Sequence, residues 1–131
     1  MKRLTRDSAV IIASLLKKEP RHKEALEILN AILSGRNVAV MPYSVLVEVV
    51  AAIKRRTGSE SLAMEVKQEL LNIEAISFVI LDDKTAVEAA DLAAKTGVRG
   101  MDALLIQVAK EFGTELISFD EEMMSKAASL L

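Results

Sequence analysis

Two aspartates near the end of the chain have a spacing that would bring their carboxylates together. In GMDALLIQVAKEFGTELISFDEE (residues 100–122), Asp102 precedes an apolar helical segment and Asp120 follows a short apolar run. A helix over 102–112 rises about 16 Å at roughly 1.5 Å per residue. A strand over 115–119 returns about 16 Å at roughly 3.3 Å per residue. Both aspartates are therefore expected at the carboxyl edge of a sheet, where open α/β folds bind ligands.

Two further acidic residues are expected at this edge. Glu48 follows the apolar run 37–41 and is the only charge in VLVEVVAAI, about one turn into the next helix. Asp7 stands between the first strand candidate and the helical segment SAVIIASLL. Each acid alone has a structural explanation, because an Asp N-cap contributes about 1 kcal/mol and Glu48 fits the solvated face of a helix.

Four carboxylates at one edge indicate a specific chemistry. Two unit charges 4 Å apart repel by about 4 kcal/mol at an effective dielectric constant near 20. Such a cluster is tolerated when a divalent cation is bound within it. Carboxylates without His or Cys favour Mg²⁺ or Mn²⁺ over Zn²⁺. A site of this kind can activate water and stabilise the oxygens of an in-line phosphoryl displacement.

Other polar residues compete with this assignment. Asp82 and Asp83 also follow a strand candidate and meet the same criteria, although capping of the helix that begins near Lys84 is the preferred explanation. Asp91 lies within a helical segment and is expected to be exposed. The only histidine, His22, lies in a charged run and is expected to be solvated.

The elements that must position these residues alternate along the chain. Short β-branched or aromatic runs at 37–41, 76–81 and 115–119 read as buried strands. Helical spacing is found in the segments AVIIASLL, 22–33, 44–56, 60–73, 84–97, 102–113 and 121–131, with Gly58, Gly97 and Gly113 at helix C-cap positions. This alternation predicts an α/β fold with a parallel sheet covered on both faces. KRLTR (2–6) is the weakest strand candidate, because its charges suit a central buried strand poorly.

The composition restricts the function classes. The chain has 131 residues, 51% hydrophobic and 27% charged, which predicts one globular domain over 1–131. No apolar run approaches the roughly 18 residues of a membrane span, and the N-terminal apolar run has no cleavage site, so a cytoplasmic protein is expected. The net charge of −2 leaves nucleic-acid binding to a local basic patch. Aromatic residues make up only 3%, which argues against a platform for stacking single-stranded bases.

With these residues in view, the chain resembles the PIN-domain nucleases, especially the small VapC-type toxins and related archaeal proteins. The similarity runs along essentially the whole chain in order. DSAVII is similar to the family's first motif, SVLVEVVAAIKRR to the helix with its Glu, and VRGMDALLIQVAKEFGTELISFDEEM to its last helix and strand.

The resemblance implies an α/β/α sandwich and an endoribonuclease that cuts RNA with metal-activated water. It implies that Mg²⁺ or Mn²⁺ is held by four residues, supported by the hydroxyls of Ser8 and Ser118; the four are Asp7, Glu48, Asp102 and Asp120. Asp82 and Asp83 are left out of this set. Family members often form homodimers, and toxins of the family are silenced by a small antitoxin encoded beside them.

Two departures from the family pattern leave an alternative open. The family usually has Asn, Ser or Thr two residues after the first Asp, where this chain has Ala9, and its first strand is usually apolar. A catalytically weak or inactive PIN-like module for RNA binding or oligomerisation is therefore the second hypothesis. A phosphoacceptor domain of the receiver type, based on LDDK (81–84), is a third, but its acid pair would have to follow the first strand.

Two basic groups are candidates for contacts with phosphate, and the C-terminus is a candidate for contacts between subunits. Arg99, three residues before Asp102, is a candidate phosphate contact. KRR (54–56) is a second candidate, although stabilisation of a helix end is the preferred explanation. Leu130 and Leu131 would be exposed unless they pack on the core or on a second subunit, which favours a homodimer or a higher homo-oligomer.

Overall fold

The chain alternates strands with helices, and the computed structural model describes all 131 residues. The four strands are β1 (Lys2–Arg6), β2 (Asn37–Pro42), β3 (Ile76–Val79) and β4 (Glu115–Ile117). The seven helices are α1 (Ser8–Leu15), α2 (His22–Leu33), α3 (Tyr43–Thr57), α4 (Glu60–Asn72), α5 (Asp83–Thr96), α6 (Gly100–Phe112) and α7 (Glu121–Ala128). None of these helices combines the length and the apolar composition that a membrane crossing requires.

All four strands are parallel, and they lie side by side in the order β3-β2-β1-β4. The carboxyl ends of parallel strands meet at one edge of a sheet, so the residues that follow the strands are gathered there. The register pairs Arg6 with Ile117, and the backbone N–H of Asp7 donates to the carbonyl oxygen of Ile117 at 3.2 Å. The end of β1 is thereby fixed beside the end of β4.

Helices cover both faces of the sheet, which confirms the predicted α/β/α sandwich. Helix α6 packs over β1, β2 and β4 and pairs with α5. Helices α1 to α4 contact one another in sequence through α1–α2, α1–α3 and α3–α4. The main hydrophobic core joins these layers and includes Ile11, Met41 and Ile106, all with no exposed surface.

The element ends follow the predicted signals with small shifts. Gly58, Gly97 and Gly113 end α3, α5 and α6 in the left-handed conformation that glycine adopts without strain. The strand predicted over 115–119 ends at Ile117, because Ser118 turns its hydroxyl to accept from the backbone N–H of Asp120. The strand predicted over 76–81 likewise ends at Val79.

The first strand contradicts the expectation that its charges suit a central position poorly. β1 lies between β2 and β4, and its last three residues are buried. The Thr5 hydroxyl donates to the carbonyl oxygen of Val40 at 2.7 Å, which satisfies it. Arg6 is completely buried, and none of its guanidinium nitrogens has a hydrogen-bond partner. This burial lowers the pKa of Arg6 to about 10.

The buried guanidinium of Arg6 is expected to destabilise the fold. A charge taken out of water without a partner costs several kcal/mol, and an apolar side chain of similar length avoids that cost. We therefore expect Arg6→Met to raise the free energy of unfolding by about 1 kcal/mol or more. Urea unfolding followed by circular dichroism measures the change, with Arg3→Met on the exposed part of the same strand as the control. A loss of stability in Arg6→Met would contradict this account.

Candidate metal centre

Asp7 is fixed at the start of α1 by hydrogen bonds to both carboxylate oxygens. It is the N-cap of the helix, and its Oδ1 accepts from the backbone N–H of Val10 at 3.0 Å. The Ser118 hydroxyl donates to its Oδ2. The side chain is therefore held in one orientation, at the edge where β1 ends.

Asp120 has the corresponding position at the start of α7. Its Oδ1 accepts from the backbone N–H of Met123 at 3.0 Å, so it too is a helix N-cap. Its own N–H donates to the Ser118 hydroxyl at 3.0 Å. Ser118 therefore connects the two aspartates, since it donates to one side chain and accepts from the backbone of the other.

Asp102 lies in the first turn of α6 and does not cap it, which corrects the expectation that it opens this helix. The helix begins at Gly100, and the residue at its N-cap position is Arg99. The Arg99 Nε lies 3.4 Å from Oδ2 of Asp102, and its Nη2 lies 4.0 Å from Oδ2 of Asp120. One guanidinium group thus lies between the two aspartates whose convergence the sequence predicts.

Glu48 projects from α3 toward the same place. It is half-buried, not part of a solvated helix face, and it lines the cleft with the three aspartates. Burial raises the pKa of Glu48, the negative charges of Asp102 and Asp7 raise it further, and the Arg99 guanidinium opposes them. All four acids that the sequence singles out therefore line one cleft.

The pKa of Asp7 also reports the proximity of the acids. Its burial raises the pKa, while the hydrogen bonds from Ser118 and Val10 lower it. The charges of Asp102 and Asp120 raise it again, and the net direction is upward. Burial is the main cause of the raised pKa, and the two neighbouring acids add to it; a cation bound beside Asp7 would oppose both effects.

The acids line an open cleft of about 790 Å³. Ser8, Ala9 and Arg99 also line it, and the remaining walls are apolar or backbone, from Val45, Gly100, Met101, Leu104, Leu105 and Phe119. The position two residues after the first aspartate, where the family has a polar side chain, is thus an exposed alanine at the cleft. Ser8 and Ser118, the two predicted supporting hydroxyls, are both at this edge, but only Ser118 has a hydrogen bond to one of the acids.

The other candidate residues lie outside the cleft. Asp82 is exposed and caps α5, with its Oδ1 accepting from the backbone N–H of Thr85 at 2.8 Å. Asp83 is exposed in the first turn of that helix. His22 was expected to be solvated, but it is half-buried, and its Nδ1–H donates to the carbonyl oxygen of Ala13 at 2.7 Å.

The chemistry of the donor groups fits a hard divalent cation. Carboxylate oxygens are the ligands that Mg²⁺ and Mn²⁺ prefer, and His and Cys are absent from the cleft. In this conformation, no three acidic side chains are close enough together to hold an ion. The positive charge between Asp102 and Asp120 comes from Arg99. Closure around an ion would therefore require rotation of side chains and movement of Arg99, whose side chain is 84% exposed.

Two features of this edge were missed by the sequence reasoning. Phe119 lines the cleft directly before Asp120, and the Arg21 guanidinium stacks over its ring at 3.8 Å from the centroid. Arg56, part of the KRR segment, forms an ion pair with Glu19. The position of Phe119 between Ser118 and Asp120 was a signal that could have placed it at the site. No local pattern indicates that Arg21 reaches it.

Comparisons with known proteins agree with this fold. A search of curated proteins finds no sequence match. Among solved structures, the chain is similar to VapC20 of Mycobacterium tuberculosis, described as a sarcin–ricin loop cleaving toxin, with a TM-score of 0.79 and 15% sequence identity. The match covers 95% of this chain and 94% of that one, and shows a shared fold. The PIN domain family model matches residues 6–130, so the chain belongs to the PIN-domain family.

Proposed function

We propose that the protein is a metal-dependent endoribonuclease that hydrolyses RNA phosphodiester bonds. The observation that carries this proposal is the set of four carboxylates, from four separate elements, that line one cleft, where their negative charges help to raise the pKa values of Asp7 and Glu48. Membership of the PIN-domain family supports nuclease chemistry. The description of VapC20 as a toxin that cleaves the sarcin–ricin loop supports RNA as the substrate class.

The proposed ligands of Mg²⁺ or Mn²⁺ are Asp7, Glu48, Asp102 and Asp120. When bound, such an ion supplies the positive charge that activates water and stabilises the charge developing on the phosphate. Ser118 acts as a supporting group, because its hydrogen bonds hold the Asp7 carboxylate and the backbone of Asp120 in fixed relative positions. Ser8 lines the cleft beside Asp7 and offers a second hydroxyl to the substrate or to water.

Arg99 is proposed to contact the substrate phosphate. Its distances to Asp102 and Asp120 are 3.4 and 4.0 Å, and exposed ion pairs of this kind contribute about 0–1 kcal/mol. The guanidinium can therefore leave the carboxylates at little cost when a cation replaces it. Arg99 would then lie at the rim of the cleft, where its guanidinium can form bidentate hydrogen bonds to phosphate oxygens.

Removal of one proposed ligand should abolish cleavage. We expect Asp102→Asn to lower the rate of Mn²⁺-dependent cleavage of a fluorescent single-stranded RNA by about 100-fold or more, because loss of even an outer partner of a metal ligand costs about 10- to 100-fold. Asp83→Asn is the matched control, since Asp83 is exposed on α5 outside the cleft. Equal rates for Asp102→Asn and the wild type, or no cleavage by the wild type with any divalent metal, would refute the proposal.

Binding of metal should depend on pH in a defined direction. The pKa values of Asp7 and Glu48 are raised, so protons compete with metal above the usual carboxyl range near 4. We expect the thermal stabilisation by Mn²⁺ to increase as pH rises through these raised pKa values and then to level off. At about 100 times its dissociation constant, the ion would add about 2.7 kcal/mol. Differential scanning fluorimetry between about pH 4.5 and 7.5 measures the effect.

The metal-free protein should show the opposite dependence. A carboxyl group whose pKa is raised in the folded state binds more protons folded than unfolded, so stability falls as pH rises from the unfolded pKa through the folded one. In EDTA, Asp7→Asn is expected to reduce this fall, and Asp83→Asn to leave it unchanged. Equal pH dependence of stability in Asp7→Asn and the wild type would contradict the raised pKa of Asp7.

The alternative function is an inactive RNA-binding or oligomerisation module. Two observations favour it: Ala9 stands at the cleft where the family has a polar side chain, and no three acids are close enough to hold an ion in this conformation. The fluorimetry experiment separates the two functions. Absence of any shift with Mg²⁺ or Mn²⁺ at neutral pH would favour the module.

The proposal extends to a toxin that is silenced by a small antitoxin and that acts as a homodimer in the cytoplasm. The description of VapC20 as a toxin supports the first part. A short reading frame immediately upstream, encoding a DNA-binding N-terminus, would support it further. Leu130 is packed against the core, but Leu131 remains 52% exposed.

A second exposed apolar surface supports self-association. One small cavity is lined by the apolar side chains of Tyr43, Ile80 and Leu81, and Val47 lies one turn along α3 from Tyr43. All four side chains are at least 44% exposed. We expect Val47→Glu to convert a dimer to a monomer in light scattering coupled to size-exclusion chromatography. Val87→Glu on α5, also exposed, is the control. A wild-type monomer, or a Val47→Glu dimer, would exclude this surface.

A further inference from the structure

A second cavity adjoins the carboxylate cleft on the side of α1. It has a volume of about 360 Å³, and it shares Ser8, Ala9 and Phe119 with the cleft. Its outer wall carries Arg21 and Arg56. A chain that occupies the cleft can therefore continue into this cavity without leaving the surface of the protein.

The shared wall contains an aromatic ring with a cation stacked over it. The guanidinium carbon of Arg21 lies 3.8 Å from the centroid of the Phe119 ring. Phe119 is half-buried, so its ring is held by the protein but still lines both cavities. Flat aromatic rings and guanidinium groups are the surfaces on which unpaired nucleic-acid bases stack, whatever the base.

One of the two arginines of the cavity is available to a phosphate. Arg21 is held to Glu24 by three hydrogen bonds of 2.7, 3.0 and 3.0 Å, which keep its guanidinium over the Phe119 ring. Arg56 forms an ion pair with Glu19, and its side chain is 51% exposed. A pair with this exposure contributes about 0–1 kcal/mol, so Arg56 can exchange the carboxylate for a phosphate oxygen. Arg56 thereby supplies local positive charge, which the net charge of −2 requires of any nucleic-acid site.

We propose that this second cavity binds the nucleotide next to the cleaved phosphodiester in single-stranded RNA. The base stacks on the pair formed by Phe119 and Arg21, and Arg56 contacts the phosphate. Glu19 also lines the cavity, as the ion-pair partner of Arg56, and the remaining walls, from Ile12, Ala13 and Pro20, are apolar and favour stacking over reading of base edges. A paired base cannot reach this surface, so the subsite selects unpaired RNA. This inference rests on the proposed ribonuclease function for the position of the cleaved bond.

A double-mutant cycle between the protein and the RNA tests the subsite. Binding of fluorescein-labelled 12-nucleotide RNA is measured by anisotropy in EDTA, so that cleavage plays no part. The wild type and Phe119→Leu are each titrated with RNAs that carry one abasic nucleotide at successive positions. We expect Phe119→Leu to weaken binding of the intact RNA by about tenfold. At one abasic position the two proteins should bind equally.

Two further variants control for folding and for charge. Arg21→Gln changes only the exposed half of the stack and should also weaken binding of the intact RNA. Arg36→Gln removes an exposed arginine before β2, at the opposite edge of the sheet, and should have less effect than Arg21→Gln. Equal effects of the two glutamine variants, together with no coupled abasic position for Phe119→Leu, would overturn the proposal.

Cleavage mapping separates this proposal from the proposed function. With Mn²⁺ added, the coupled position should be adjacent to the cleaved bond, and a coupled position elsewhere would overturn the assignment. Cleavage without coupling would leave the nuclease standing and remove the subsite. Coupling in EDTA without cleavage under any metal would establish the stacking subsite on a catalytically inactive protein.

Discussion

Repulsion among carboxylates at one edge of a parallel sheet is the constraint on which the rest of the structure depends. Parallel strands deliver every following residue to the same edge, and three aspartates and a glutamate arrive there. The fold holds two of them with hydrogen bonds and two with a guanidinium group. Backbone N–H groups at two helix starts and one serine hydroxyl fix Asp7 and Asp120, and the exposed Arg99 pairs with Asp102 and Asp120. Glu48 has no resolved partner of this kind, and the charges of Asp102 and Asp7 raise its pKa.

The sequence predicted the fold and the convergence of the acids because both follow from periodicity and chain direction. Alternating strands and helices specify a parallel sheet, and the chain direction of α6 and β4 places Asp102 on the same edge as Asp120, although β4 is shorter and α6 longer than predicted. The same reasoning could not separate Asp82 and Asp83 from the site, since they also follow a strand. The structure separates them because β3 is an outermost strand, with β2 between it and β1, and Asp82 caps α5 outside the cleft.

Tertiary contacts explain what the sequence could not predict. The charges of KRLTR argued against a central strand, yet β1 is central, with Arg6 buried without a partner. The pairing of β1 with two strands outweighs this cost. His22, at the start of α2, donates to Ala13 of α1 across the turn between these helices. Arg21, in the same turn, stacks on Phe119, which is distant in sequence. Such contacts depend on how a turn folds back, which hydrophobic periodicity does not encode.

Asp7 and Asp120 each cap a helix as well as facing the cleft. Asparagine caps a helix about as well as aspartate, whereas alanine loses about 1 kcal/mol. A lineage that gave up the chemistry would therefore still be under selection to keep a side-chain acceptor at these two positions. Among relatives of this chain, asparagine in place of these aspartates would indicate proteins that lost the proposed activity and kept the helix caps. Aliphatic residues there would indicate proteins in which other interactions stabilise the starts of those helices.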